Sequence, residues 1–543
     1  MFLSFISLFL IILVVIGYSF LFKLLLIENK EYKQLKIYNY DFIYGLFVLS
    51  FLSILFNFIT PLKNLTYLVN FFGIILFVFA SVKGKIKINL SSLTLLLLFF
   101  IFISHTQGVG YDTQLYHLQI IKHNSMYKSI FGIANLEDRF AMNSSLHSLV
   151  SLFNFNFYGL KIIYIFNIII YSFIVNEIFS KNKILKSSSQ NFLNISILFI
   201  FIYSFVHPFG NGTMLNSIGS PEVDIPASFL FIYGCFLFLR FFENNDFDII
   251  KLLILISVLI FTIKINYLSI SLLPLWIILV NKKLFKYIKL YLISFIFVLT
   301  WSFKSFIASG CLIFPISFTC ISTKWSMHAD HVENYKNIIK SFARDTPDRL
   351  KFGDFNHTIN SFDWFFPWFK EYFLKTEILY FTFIILILTF ITILITFFIK
   401  KKINLPKHIT ILLIMIFLSM IIWFQAPEIR FGYGTIISTL SISILIIMLN
   451  INLEILTLKI NRILVILVMS LLIFKNSNNY NSLNDTFQRN FIYDDWSMVQ
   501  KSSDIKIFIP PEGVFCSDFN NFCTYKNNLS LDIEKKKYLY FLN

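Results

Sequence analysis

The sequence predicts an all-α integral membrane protein of about 12–14 transmembrane helices, with short helices in its outward loops. Three observations predict it. Of the 543 residues, 57% are apolar and 14% charged, against roughly 25% charged in a soluble globular chain. Apolar runs approaching the roughly 20 residues needed to cross about 30 Å of hydrocarbon recur along nearly the whole chain. Lysine and arginine gather in alternate intervals between those runs, as retention of positive charge on the cytoplasmic side requires. Together these features exclude a soluble cytosolic enzyme, a disordered chain and a disulfide-stapled mini-domain. The net charge of +16 is accounted for by orientation in the bilayer, so the lipid bilayer is an expected partner and nucleic acid is not.

Taken in order, the apolar runs cover residues 2–27, 42–60, 65–82, 90–104, 160–179, 192–206, 225–242, 249–263, 268–280, 284–307, 378–399, 409–424, 435–449 and 463–473. The first lacks a basic leader and a small-residue cleavage site, and is read as a span rather than a removed signal. Alternate loops then hold Lys30, Lys33 and Lys36; Lys83, Lys85 and Lys87; Lys181, Lys183 and Lys186; Lys282, Lys283, Lys286 and Lys289; Lys400, Lys401, Lys402 and Lys407; and Lys459 with Arg462. Those loops are assigned to the cytoplasm. The loops facing outward are then 105–156, 207–224, 308–376 and 425–434. Two parts follow from this: a polytopic transmembrane domain over 1–475 and an extracytoplasmic tail over 476–543. Within the third outward loop, residues 324–363 mix polar, charged and aromatic side chains without a clear period, predicting short helices and loops over the membrane face. Trp364 and Trp368, with Phe365, Phe366 and Phe369, read as an interfacial aromatic belt.

The cysteines test this map. Cys311 and Cys320 share one outward loop, Cys516 and Cys523 share the tail, and Cys235 lies within a span. Their spacing allows two local disulfides in an oxidising compartment and matches no zinc site.

Ionisable groups at the bilayer boundary are costly unless they have work to do. Here they cluster on the outward side. Asp112 opens the stretch Tyr111-Asp112-Thr113-Gln114-Leu115-Tyr116-His117, and a helix starting there puts Asp112, Tyr116 and Gln119 on one face. Asp112 could simply cap that helix. Arg139 and Asn143 follow in the same loop. Glu222 and Asp224 precede another span, Lys264 and Asn266 lie in a short connection, and Arg430 lies in Ala426-Pro427-Glu428-Ile429-Arg430-Phe431-Gly432-Tyr433-Gly434. Such a face could grip an anionic headgroup with Lys264 and Arg430 while Asp112, Glu222 or Asp224 acts on a hydroxyl or holds a divalent metal such as Mg2+ or Mn2+. Each also has a structural alternative: helix capping for Glu222 and Asp224, snorkelling for Lys264, and a pair with Glu428 for Arg430.

An acid in an early outward loop, a large mid-chain outward segment and an arginine near a late span resemble the GT-C superfamily of polytopic glycosyltransferases. More narrowly, the segment around Asp112, Ala134-Asn135 through Asn143-Ser144-Ser145, Lys264-Ile265-Asn266-Tyr267, Ser309-Gly310 with Phe314-Pro315, the Arg430 segment and the tail cysteines resemble a family of bacterial integral membrane proteins related to that superfamily. The resemblance implies a GT-C-like fold in the bacterial cytoplasmic (inner) membrane. It also implies transfer of a sugar from a polyprenyl-phosphate carrier to a glycan, lipid or protein acceptor of the cell envelope at the outer face. By position it assigns catalysis to Asp112, with Glu222 and Asp224 as candidates for a second carboxylate. Tyr111, Tyr116, His117, Arg139, Asn143, Lys264, Asn266 and Arg430 are the expected substrate-binding residues. The other classes open to such a sequence are a lipid-linked-oligosaccharide flippase, which would carry its charges at mid-membrane depth, and a non-catalytic envelope-assembly protein.

Overall fold

The computed structural model describes residues 2–26, 35–106, 110–154, 156–157, 160–179, 188–206, 218–345, 355–374, 377–400, 405–451, 458–477, 497–501, 506–511, 516 and 522–525. Lys30, Lys33, Lys181, Lys183, Lys186, Lys401 and Lys402 lie outside them. The architecture is that of an all-α polytopic membrane protein. In chain order the helices are α1 (Phe2–Leu26), α2 (Phe42–Asn57), α3 (Thr66–Val82), α4 (Leu90–Thr106), α5 (Leu118–Met126), α6 (Ser145–Leu152), α7 (Ile168–Phe179), α8 (Ser188–Val206), α9 (Asp224–Asn244), α10 (Phe247–Ile263), α11 (Leu272–Val280), α12 (Ile288–Ser309), α13 (Ala329–Arg344), α14 (Phe355–Thr358), α15 (Phe365–Trp368), α16 (Glu377–Lys400), α17 (Lys407–Phe424), α18 (Ile429–Ile451) and α19 (Leu458–Asn476).

Among the described residues, 8 helices are long and apolar enough to cross a membrane, and shorter apolar helices at Thr66–Val82, Leu90–Thr106, Ile168–Phe179 and Ile265–Val280 accompany them. The run read as one span over 268–280 begins as a 3-10 helix, Ile265–Ser271, before α11. The run read over 160–179 begins with a two-residue strand and a 3-10 turn before α7.

Why these helices assemble follows from which residues they bury. Helix α9 is enclosed nearly all round, whereas α16 exposes Phe381, Phe383, Leu388, Phe390 and Ile395, and α12 exposes Leu292, Phe295, Leu299 and Phe303. Apolar surface on that scale is stable against lipid and not against water. Helices α1 and α3 approach through small residues: a Cβ on Gly17 would stand 2.0 Å from the Gly73 carbonyl oxygen. That is the close backbone contact expected where lipid supplies no hydrophobic drive between helices.

The helix ends fall into two groups. At the end the charge pattern assigns to the cytoplasm, Lys23 pairs with Asp41 at 2.8 Å, Arg240 pairs with Glu177 at 2.5 Å, and Asn39 donates to Glu177 at 2.9 Å. At the opposite end, Asn57 Nδ2 donates to the Asn124 and Tyr127 carbonyls, both at 3.0 Å.

Over that second end lie the polar segments. Residues 113–117 form a π-helical turn that runs into α5. Strands β1 (Asn156–Phe157) and β2 (Leu160–Lys161) form a hairpin, and the tail contributes β3 (Ser497–Lys501), β4 (Lys506–Ile509) and β5 (Phe522–Cys523), with β3 antiparallel and β5 parallel to β4. Cys311 is bonded to Cys320, Cys516 to Cys523, and Cys235 is buried and free. The tail is anchored by Gln119 Nε2 to the Cys516 carbonyl at 3.3 Å, by Thr524 Oγ1 to the Leu136 carbonyl at 2.8 Å, and by Phe522 packed against His123 and Tyr127.

Two local expectations need correction. The segment over 324–363 contains one sixteen-residue amphipathic helix, α13, rather than only short ones. Its Val332 and Tyr335, three residues apart, form an apolar face that packs against Ala134, Cys311, Phe314 and Met327. Trp364 and Trp368 are each only 2% exposed, sealed by Phe365, Trp423 and Phe424. They form an aromatic core, and Phe366, 75% exposed, is what remains of the belt.

Candidate functional site

Four separated stretches meet at the end of the bundle that the charge pattern assigns to the outside. The first is the turn before α5. Gly110 lies so close to Glu222 that a Cβ there would stand 1.8 Å from Oε1. Its N–H donates to Ser220 Oγ at 2.9 Å, and Thr113 Oγ1 and Ser220 Oγ are 2.6 Å apart. Asn167 Nδ2 holds the second stretch from below, donating to the carbonyls of Ser220 at 3.0 Å and Glu222 at 2.8 Å. This small-residue seam explains why Gly110 and Ser220 stand where they do: only short side chains let the two loops dock edge to edge.

Asp112 makes no capping hydrogen bond. Its carboxylate instead accepts from Arg430 Nη1 at 2.5 Å, so the expectation of a plain helix cap is set aside, as is an Arg430–Glu428 pair as the first partnership of that arginine. Asp224 occupies the first turn of α9, where the helix dipole favours an anion, and it pairs with Lys264. Lys264 ends α10 in an extended conformation (φ −152°, ψ 115°), which turns its side chain away from the helix line. The two cations meet over one ring: Lys264 Nζ lies 4.1 Å and the Arg430 guanidinium 5.3 Å from the centre of Phe431. Tyr267 ties this wall together, its hydroxyl 2.8 Å from Ser228 Oγ and accepting from the Gly434 N–H at 3.1 Å. Burial raises the Glu428 carboxyl, against the pull of the nearby Arg430.

The remaining expected residues divide. Tyr116 and His117 lie with ring centres 4.1 Å apart and planes inclined by 41°. Tyr111 is 66% exposed at the rim, and Asn266 is half-buried in the turn after Lys264. Arg139 pairs with Glu137 at 2.9 Å. Asn143 joins a different neighbourhood, exchanging hydrogen bonds with Trp301: Nδ2 to the Trp301 carbonyl at 2.7 Å, and Trp301 Nε1 to the Asn143 carbonyl at 2.5 Å.

His117 is buried against a partner that sequence spacing does not reveal, His147, with Nδ1 and Nε2 2.8 Å apart. Burial, reinforced by Arg430 and Lys264, pushes His117 down to about 3. Burial and His117 itself push His147 well down too. Both rings are therefore neutral at pH 7, and one N–H joins them. Among the described residues His147 Nδ1 has no partner. A lone pair is cheaper to leave unmet than an N–H, so His147 is the donor of the pair.

A divalent metal does not suit this donor set. Among the described residues no group of three or more His, Cys, Asp or Glu side chains comes together, and Asp112 and Asp224 each already hold a cationic side chain. What the arrangement can do is let Arg430 and Lys264 exchange their carboxylate partners for another anion.

The chain belongs to the family described as Domain of unknown function (DUF8201), whose model matches residues 1–437. No curated protein and no solved structure matches it.

Proposed function

We propose that the protein is a GT-C-like membrane glycosyltransferase that moves a sugar from a polyprenyl-phosphate carrier to a cell-envelope glycan, lipid or protein acceptor at the outer face of the bacterial inner membrane. One observation carries the reading: two carboxylate–cation pairs, Asp112–Arg430 and Asp224–Lys264, stand side by side at one end of the helical bundle, with both cations over Phe431.

Each half of the chemistry has a group suited to it. The carrier phosphate draws Arg430 and Lys264 onto its oxygens, because guanidinium and ammonium bind phosphate through charge-assisted hydrogen bonds. That exchange frees the Asp112 carboxylate. The acceptor hydroxyl oxygen attacks the anomeric carbon, its proton passes to Asp112, and the bond between the anomeric carbon and the phosphate oxygen breaks, its electron pair leaving with the phosphate. Phosphate is a sufficient leaving group for positioning and charge stabilisation to serve without a covalent sugar intermediate. Glu222, packed against Gly110, stiffens the loop that carries Asp112.

The test is Asp112→Asn in full-length protein reconstituted with a polyprenyl-phosphate sugar. The expected result is a folded protein whose transfer rate falls by about a hundredfold or more, the scale of a lost general base. Near-normal transfer would reject Asp112 as the base.

A further inference from the structure

Beside the tail, and distinct from the Asp112 site, lies a cavity of about 40 Å³ lined by Lys304, Lys128, His123, Asn124, Asn143 and Ser144 among others. Lys304 projects from α12 five residues before that helix ends and is 8% exposed. Its Nζ donates to Asn124 Oδ1 at 2.9 Å and to Ser148 Oγ at 2.8 Å. It makes no ion pair among the described residues, and neither does Lys128. A buried ammonium without a counter-charge is expensive, and a lysine within a span marks function by default.

His123 supplies an independent sign. The ring is 6% exposed, yet among the described residues neither Nδ1 nor Nε2 has a hydrogen-bond partner. Phe140, Phe522 and Tyr127 surround the ring, so the packing orients it firmly, and the residue lines the cavity. A buried polar group of that kind calls for a missing partner.

We infer that this cavity is a binding site for a phosphate oxyanion, with Lys304 at its floor, Lys128 at its rim and His123 on its wall. The ligand must be anionic to answer two lysines with no carboxylate, and it must accept hydrogen bonds, since Lys304, Lys128 and the Asn and Ser side chains can all donate. At about 40 Å³ the cavity exceeds what a single water requires, so it admits a small polar group such as a phosphate. Ile120, Ile130, Ile133 and Ile307 complete the lining, so the phosphate is either free or the headgroup of a lipid whose apolar part lies along those residues. The inference stands apart from the reading of Asp112, although Asn143, one of the residues expected to bind that substrate, lines this cavity.

The experiment is titration of purified full-length protein in neutral detergent, at constant ionic strength set with chloride, with inorganic phosphate in one arm and short-chain phosphatidic acid in the other. Binding is followed by calorimetry and by the melting midpoint. Saturable binding in either arm is expected, with a dissociation constant at least tenfold weaker in Lys304→Met and in Lys128→Gln, the loss that corresponds to one charge-assisted hydrogen bond. Phosphate binding in both arms identifies a free oxyanion, and binding of phosphatidic acid alone identifies a lipid headgroup. Lys128→Gln sits at a part-exposed rim, so it answers the question even where Lys304→Met does not fold. Absence of binding in both arms, or unchanged affinity in both variants, would overturn the site.

Discussion

Acid should destabilise this protein through histidines that it buries neutral. His117 and His123 are 3% and 6% exposed, and burial pushes each to about 3, with Arg430 and Lys264 adding to the effect on His117 and Lys122 on His123. In the unfolded chain each titrates near 6.5. Because the folded value is depressed, the unfolded chain binds more protons between about pH 6.5 and 3, and stability must fall as pH falls through that window. Between pH 7.5 and 5 the difference is about 1.5 pH units below the unfolded value, or about 2 kcal/mol for each histidine and about 4 kcal/mol for the two. His147 acts in the same direction. Against a typical total of roughly 5–15 kcal/mol this is a large fraction. The assay is thermal unfolding in detergent, followed by tryptophan fluorescence in phosphate-free buffers from pH 7.5 to 5. His123→Phe should remove close to half of the two-histidine slope, since Phe fits the ring of aromatic neighbours and carries no proton. A melting midpoint that does not move over this range, or a His123→Phe slope equal to that of the unmodified protein, would refute the argument.

Other outcomes follow from the same contacts. Arg240→Met should destabilise the bundle by about 3–5 kcal/mol by leaving Glu177 buried and unpaired, and Glu177→Gln in that background should recover part of the loss; denaturant titration measures both. Gly110→Ala should lower transfer far more than it lowers the melting midpoint, because its methyl displaces the Glu222 carboxylate and moves the loop bearing Asp112, at an overpacking cost of about 1–3 kcal/mol. Cys516→Ser opens a loop with a sequence separation of 7, a loss of about 2.5 kcal/mol on the chain-entropy account. Limited proteolysis should then cut the tail sooner than it does in the unmodified protein.

Much of the architecture is legible one segment at a time. The boundaries of α3, α4 and α17 lie close to the apolar runs, because a span is specified by hydropathy summed over its own residues. The outward loops likewise announce their ionisable residues by proximity to those runs, which is how Asp112, Glu222, Asp224, Lys264 and Arg430 come to attention together. Lys304 could have been found on the same ground, as a lysine inside an apolar run. His147 could not, since nothing local distinguishes it from a packed histidine.

The sequence by itself therefore determined the class of the protein and which polar residues would gather at one end of the helical bundle. Tertiary structure alone decided the partnerships: Asp112 with Arg430 across 318 positions, Asp224 with Lys264 across 40, and His117 with His147 across 30. It also decided that Trp364 and Trp368 are enclosed by α17 rather than laid along the lipid boundary. The physical reason is that crossing a bilayer is a property each segment satisfies alone, within its own backbone hydrogen bonds. Which carboxylate meets which cation depends on how helices far apart in sequence pack, and that depends on the shapes of many side chains at once.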